Sequence, residues 1–288
     1  MKKLLLFFLL AATACAPKTQ IKVPDGGFQD YFKPQPGQAL ISAHRGGGDY
    51  RGYPENSIES FAYLAEKIGT PTRPIIIECD INLTRDSVLM MMHDDKLDRT
   101  STGTGRISDV TWDYCKTLRL EDNQGNLTRY KIPTLEQVLR WGKGRVLYTL
   151  DVKRSVPFDK VVAMIHRTNA ADYAAVITYN AIDAAKVYRL DPSLMISVNV
   201  RNRADYERLR ELGVSDRNMI AFIGTREADP ELYRFLHDKG IACILGTLGN
   251  LDKQAVAKGD YVYREFVRNG ADILSTDRPL EVLKAVEL

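Results

Sequence analysis

Two histidines stand where short apolar runs end. His44 follows the run 39–43 and precedes Arg45 and the glycines 46–48, and His93 follows the run 88–92 and precedes Asp94. Carboxylates recur in the same setting: Glu78 and Asp80 lie in the run 75–81, and Asp151 ends the run 146–152 with Lys153 two residues on. Residues two apart in a strand share a face. Glu78, Asp80 and Asn82 therefore form one face, with Ile77, Cys79, Ile81 and Leu83 opposite, and Asp151 shares a face with Lys153. Any one of these groups alone reads as a solvated charge or half of a salt bridge; convergence from separate strands is what points to a site. Three carboxylates brought together raise one another's pKa unless a cation neutralises them. Oxygen ligands without soft partners suit Mg²⁺ or Ca²⁺ better than zinc. Two histidines beside such a cation, with Arg45 and Lys153 at hand, can cleave a phosphate ester. One removes a proton from the nucleophile and the other protonates the leaving alkoxide. The cation and the basic side chains carry charge developing on the phosphoryl oxygens. The glycines after Arg45 are expected to let a phosphate approach the backbone. His166 and His237 fall in helical patterns and read as packing or surface residues.

These groups need strands that end at a common rim. β-type apolar runs occupy 39–43, 75–81, 146–152, 174–179, 195–200, 219–224, 241–246 and 271–275. Helical patterns with capping signals lie between most of them. Asn56 with Glu59 reads as a capping box ahead of Ile58, Phe61, Leu64 and Ile68. Ile132-Pro133-Thr134-Leu135 starts a second helix, and further patterns run over 158–167, 182–190, 204–212, 230–239, 261–268 and 279–286. Glycines past the helix ends, such as Gly213 and Gly240, fit C-terminal caps. Eight strand runs each followed by a helix predict a TIM (β/α)8 barrel, in which strand ends gather at one catalytic rim. A doubly wound open sheet is the alternative. The run 88–92 follows the turn Thr84-Arg85-Asp86-Ser87 and reads as a hairpin arm outside the barrel. Residues 94–131 break the rhythm and predict a small insertion on the rim, after the second strand and its arm.

The bulk numbers fit one exported domain. The 288 residues carry a formal charge of +3, and removing Lys2 and Lys3 leaves 38 basic against 37 acidic side chains. That balance calls for neither nucleic acid nor an anionic surface as a partner. Residues 1–14 read as a signal peptide: Lys2-Lys3, the apolar run Leu4 to Leu10, then small residues before Cys15. Ala14-Cys15 resembles a bacterial lipoprotein cleavage site, although Ala12 stands where leucine is usual. It predicts a lipid anchor at Cys15, as the one membrane contact, in the periplasm or on the cell surface. Ordinary signal cleavage, giving a soluble secreted protein, is the alternative. Residues 16–38, rich in Pro and Gly, read as a flexible linker, leaving 39–288 as the catalytic domain. Cys79, Cys115 and Cys243 make no disulfide or thiolate-metal pattern, and Cys79 and Cys243 read as small core residues.

An ordered set of motifs carries a resemblance. It comprises His44-Arg45-Gly46, Pro54-Glu55-Asn56-Ser57, Glu78-Cys79-Asp80, Asp86 before Val88, His93-Asp94, Ile132-Pro133-Thr134-Leu135-Glu136, Asp151-Val152-Lys153 and Thr276-Asp277-Arg278-Pro279. With these the chain resembles the glycerophosphodiester phosphodiesterase family over about 39–280. The resemblance implies a TIM barrel with an insertion after the second strand. It implies hydrolysis of a small-molecule glycerophosphodiester to sn-glycerol 3-phosphate and an alcohol. His44 and His93 would be the acid/base pair, Glu78, Asp80 and Asp151 the ligands of one divalent cation, Mg²⁺ or Ca²⁺, and Arg45 and Lys153 the phosphate contacts. Glu55 would sit near the metal or the substrate hydroxyls. Attack by the neighbouring glycerol hydroxyl through a transient cyclic phosphate is the implied route. Three positions depart from the family's pattern: Asp151 stands for a usual Glu, Ser57 for Thr, and Leu245-Gly246-Thr247-Leu248 occupies the place of a Trp-Thr-x-Asn segment. A cyclising phosphodiesterase acting on another diester, and a non-catalytic binding protein on the same fold, are the alternative functions. The sequence leaves the head group and the oligomeric state open.

Overall fold

Eight parallel strands close on themselves in the computed structural model, which describes residues 20–35, 37–47 and 49–287. The expected signal peptide and Cys15 lie outside the described residues. The strands are β1 (Leu40–Ala43), β2 (Ile76–Leu83), β3 (Leu89–Met91), β4 (Leu147–Val152), β5 (Ala174–Ile177), β6 (Ile196–Asn199), β7 (Met219–Gly224), β8 (Cys243–Gly246) and β9 (Ile273–Thr276). The helices are α1 (Ile58–Ile68), α2 (Trp112–Cys115), α3 (Leu135–Gly142), α4 (Phe158–Thr168), α5 (Ala181–Leu190), α6 (Arg203–Glu211), α7 (Pro230–His237), α8 (Asn250–Lys258), α9 (Val262–Arg268) and α10 (Pro279–Glu287). Around the barrel the order is β1-β9-β8-β7-β6-β5-β4-β2, and β2 pairs again with β1 to close it. The (β/α)8 expectation therefore holds over the doubly wound one. The β3 arm lies outside the ring, antiparallel to the end of β2, with Ile81 opposite Met91.

Burial explains both the apolar strands and the placement of their polar residues. Every residue of β1, β4, β8 and β9 is buried. One face of each strand packs under the helices and the other fills the barrel, so an apolar residue stabilises either face by roughly 1.5–3 kcal/mol. Polar side chains then collect towards the carboxyl ends, where the barrel opens. The insertion 94–131 carries its own small core: Leu97, Ile107, Cys115, Leu118 and Leu120 pack with Met90, Met92 and Ile132. It is a satellite domain seated on β3 rather than a loose surface loop. No helix among the described residues is long and apolar enough to cross a membrane.

Local capping differs from the sequence expectation at one point. Ser57, not Asn56, caps α1, accepting from the Ser60 backbone N–H at 3.2 Å. Asn56 instead adopts a positive φ of 58° and turns its amide into the barrel mouth. Thr134 and Gln137 do form a capping box at α3. Helix α8 was not expected. Its sequence buries only Leu251, Asp252 and Ala255, too sparse a stripe to show an apolar period.

The described part of the expected linker is not a tether. Ile21 N–H donates to Gly144 O at 3.0 Å and Lys22 N–H to Pro71 O at 2.6 Å, both in loops at the amino-terminal end of the barrel. A short 3-10 turn, Phe28–Phe32, buries Tyr31 and Phe32 in the main core, and Phe28 meets Tyr173 edge-on at 6.5 Å. Sparse aromatic residues among prolines and glycines have no periodicity, so composition alone suggested a linker. Phe32 is 1% exposed. Phe32→Ala is expected to lower unfolding stability by about 3 kcal/mol, the cost of emptying a buried aromatic position. Denaturant titration checks this; a substitution within a true tether would leave the midpoint in place.

Candidate active site

Strand register assembles the polar cluster. Ala43 pairs with Ile77 on one side and with Thr276 on the other. The next residues along, His44, Glu78 and Asp277, therefore come side by side. His44 Nδ1 lies 2.7 Å from Asp277 Oδ1, and the Arg45 N–H donates to Glu78 Oε2 at 2.7 Å. Across β2 and β4, Asp80 is the register partner of Asp151. Carboxylate oxygens of Glu78, Asp80 and Asp151 lie within 4.8 Å of one another. All three line a cavity of about 260 Å³ with His44, His93, Lys153 and Tyr179. The structure thus brings together His44, His93, Glu78, Asp80, Asp151 and Lys153 from four strands or strand ends.

Electrostatics in the cluster is under strain. Burial, and then the Asp80 charge, push the Glu78 carboxyl up to about 8. Burial and Asp80 also raise Asp151 against the pull of Lys153. Asp80 is different: burial pushes it up, but the Lys153 ammonium and the Asn56 amide outweigh this and hold it below the ordinary range. Lys153 Nζ bridges Asp80 Oδ1 at 2.6 Å and Asp151 Oδ2 at 2.7 Å. Burial lowers the Lys153 pKa, but the two aspartates outweigh this and carry it above its ordinary value, so it stays charged. One ammonium cannot offset three buried carboxylates. The all-oxygen donor set and the elevated Glu78 fit a divalent cation, which would return Glu78 to its charged form.

Each histidine is held by a carboxylate through Nδ1. His93 Nδ1 lies 2.6 Å from Asp94 Oδ1, and its Nε2 is 2.7 Å from an Arg45 guanidinium nitrogen. Guanidinium only donates, so Nε2 accepts and Nδ1–H donates to Asp94. For His44, burial lowers the pKa, but the Asp277 hydrogen bond and the Glu78 charge carry it above its ordinary value. Asp277 answers in kind: burial raises it and the bond to His44 brings it below the usual carboxylate range.

Two expectations need correction. Glu55 does not face the cavity. It is 2% exposed, and its two oxygens accept from Arg99 at 2.7 and 3.1 Å and from Arg45 at 3.3 and 3.5 Å. A carboxylate buried there must be paired, so Glu55 aims Arg45 instead of touching substrate. Gly46 and Gly47 serve packing, while Gly48 lies outside the described residues. Arg45 itself has φ 53°, and Gly46 and Gly47 also have positive φ. A Cβ on Gly46 would run into the Phe61 ring and one on Gly47 into Leu64 Cδ1. They let α1 close on the turn, which is a different task from cradling phosphate.

Several residues escaped the sequence reading. Arg99, in the insertion, joins Glu55 to Asp94, which it grips at 2.7 and 3.0 Å; no periodicity marks it. Asn56 Nδ2 donates to Asp80 Oδ2 at 2.7 Å and its Oδ1 accepts the Asp80 N–H. Tyr179 Oη donates to Asp151 Oδ1 at 2.8 Å. Asp277 was visible within the motif Thr276-Asp277-Arg278-Pro279, but without a role. His166 and His237 pair with Asp191 and Asp272 on the scaffold, as expected of packing histidines. His237, Cys243 and Asp272 also cluster, but Asp272 Oδ2 is spent on the His237 ring and the Cys243 N–H. Burial pushes the Cys243 thiol far up, away from thiolate.

Residues 44–280 match the glycerophosphoryl diester phosphodiesterase family. The chain belongs to that family. A glycerophosphoryl diester phosphodiesterase from Parabacteroides distasonis ATCC 8503 is 32% identical, with a TM-score of 0.85 and 93% of each chain covered. The glycerophosphodiester phosphodiesterase of Bacillus subtilis (strain 168) is 28% identical over 210 residues, 66% of this chain and 65% of the relative. The chain thus spans just under two-thirds of that curated relative's length. An Oleispira antarctica phosphodiesterase, solved with its product sn-glycerol-3-phosphate, shares the fold at 19% identity and a TM-score of 0.69, with 90% of this chain and 99% of that one covered.

The His44–Asp277 bond makes a signed prediction. Asp277→Asn removes the partner that raises the His44 pKa while the burial that lowers it stays. The imidazole titration, followed by NMR, is expected to move to lower pH. An unmoved or raised titration would show that the pair does not set the protonation of His44.

Proposed function

We propose that the protein hydrolyses glycerophosphodiesters to sn-glycerol 3-phosphate and an alcohol. The observation that carries the reading is convergence: two histidines, each oriented by its own aspartate, open on the cavity that also holds Glu78, Asp80 and Asp151. Membership of the family, and the product found in the Oleispira relative, support this substrate class. A divalent cation, Mg²⁺ or Ca²⁺, held by the three carboxylates would draw charge from the phosphoryl oxygens. Arg45 and Lys153 bind the same oxygens. His93, whose Nε2 accepts from Arg45 in the free site, takes the proton from the attacking glycerol hydroxyl once the guanidinium turns from it to the phosphoryl oxygens. His44, whose imidazolium form the Asp277 hydrogen bond favours, gives its proton to the departing alkoxide. The P–O bond to the alcohol breaks, and water then opens the cyclic phosphate with the roles reversed. The chain is exported and tethered through Cys15, with a soluble exported form as the alternative; its partners are small molecules.

The test is hydrolysis of glycerophosphocholine with chelator, after Mg²⁺ or Ca²⁺ add-back, and in His93→Ala. Chelation is expected to abolish turnover and one of the two ions to restore it. His93→Ala is expected to lower kcat by about 10²- to 10⁴-fold, the range for loss of a general acid or base. Undiminished turnover in that variant would remove His93 from the chemistry. Release of a stable cyclic phosphate, seen by ³¹P NMR, would favour the cyclising reading. Absence of metal-dependent activity on any phosphodiester would leave the binding-protein reading.

A further inference from the structure

Beyond Tyr179 the catalytic cavity gives onto a second one. Tyr179 and Asn199 line both. The second cavity, about 470 Å³, runs between the amino-terminal turn of α5 and the side of α6, and Arg201 and Arg208 reach into it. Tyr179 is fixed at the divide, its hydroxyl on Asp151 and its carbonyl accepting from Asn199 Nδ2 at 2.9 Å. Neighbouring arginines are occupied: Arg210 pairs with Asp216 at 3.3 Å, and Arg203 lies over the Phe235 ring at 4.7 Å. Among the described residues, Arg201 and Arg208 have no carboxylate partner. Asp205 lines the same cavity, but one of its oxygens is taken by the Arg201 backbone N–H at 2.8 Å. Asp183 nearby is held by Asn180 at 2.7 Å. The first turn of α5 adds the positive end of its dipole.

The catalytic groups sit on the β1, β2, β3 and β4 side of the mouth. An arm of a bound diester must therefore lie along the other side, past Tyr179 and Asn199. We propose that Arg201 and Arg208 form a subsite for a second phosphate on that arm, so that the enzyme favours glycerophosphodiesters whose alcohol is itself phosphorylated. This rests on the glycerophosphodiesterase reading and extends it. Two guanidinium forks suit the several oxygens of a phosphate better than a neutral or cationic head group.

The comparison that isolates the second anion is glycerophosphoglycerol against the same diester carrying a terminal phosphate. Calorimetry at low ionic strength on His93→Ala protein with divalent ion present reads affinity for each. The phosphorylated diester is expected to bind about tenfold more tightly, as two charge-assisted contacts at an exposed site allow. In an Arg201→Ala/Arg208→Ala background the two diesters are expected to bind equally, with glycerophosphoglycerol unchanged. Equal affinity in the parent protein would overturn the proposal, as would a preference that survives the double substitution. A fall in glycerophosphoglycerol affinity in the alanine background would also overturn it, because the arginines would then be shaping the shared site. Should wild-type protein turn over neither diester, the enzymatic reading fails, and the affinity ratio still decides the subsite.

Discussion

Repulsion among Glu78, Asp80 and Asp151 is the constraint on which the barrel mouth depends. Their oxygens crowd within 4.8 Å in a poorly solvated pocket, where each charge raises the cost of the next. Every neighbour serves to lower that cost. Lys153 spans two of them, Asn56 and the Arg45 backbone N–H each take one oxygen, and Tyr179 takes another. What remains uncompensated is Glu78, which burial and the Asp80 charge drive towards its neutral form; a dication placed among the three carboxylates would restore its charge.

The same economy of burial explains the outer layer. Asp94, Glu55, Arg45 and Arg99 form a continuous chain of charge-assisted bonds from the insertion to the His93 ring. The insertion is therefore part of the machinery that aims a histidine, and its private core gives Arg99 a rigid base. Hydrogen bonds to Arg99 and His93 hold Asp94 well below the usual carboxylate range, although burial pushes the other way. It stays charged and keeps hold of the Nδ1 proton. Asp277 does the equivalent for His44 from the opposite side of β1.

Much of this was legible in the sequence because two simple periodicities govern it. Strand alternation put Glu78 with Asp80 and Asp151 with Lys153, and the helical period placed the elements between the strands. What escaped depends on contacts between distant segments. Phe32 buries against the barrel without any local pattern. Arg99 sits in an irregular insertion, and its partners are 44 and 5 residues away. Glu55 looked like a substrate contact because of its motif; its oxygens are instead taken by Arg45 and Arg99, behind the lining of the cavity. Gly46 and Gly47 looked like part of a phosphate loop, yet the side chains they pack against are Phe61 and Leu64.

The departures from the family's pattern acquire a physical sense from their location. Asp151 is one methylene shorter than the usual Glu, and Tyr179 and Lys153 bind its two oxygens and fix its position. Thr247 is fully buried, its hydroxyl bonded to Ser275 O, while Leu248 reaches the cavity together with Phe222 and Ile244. The region without the family's Trp-Thr-x-Asn segment therefore forms an apolar wall opposite the charged one. Tyr179 ties the two changes together: its hydroxyl braces the shorter carboxylate of Asp151, and the residue lines both the main cavity and the groove beyond it. β5 through β8 and the residues that follow them thus face the cavity with Ile177, Tyr179, Asn199, Phe222 and Ile244, and carry none of the three clustered carboxylates or the two cavity histidines. That half of the rim can change its side chains without disturbing the register that assembles the carboxylates and histidines in the other, except at Tyr179, which is tied to Asp151.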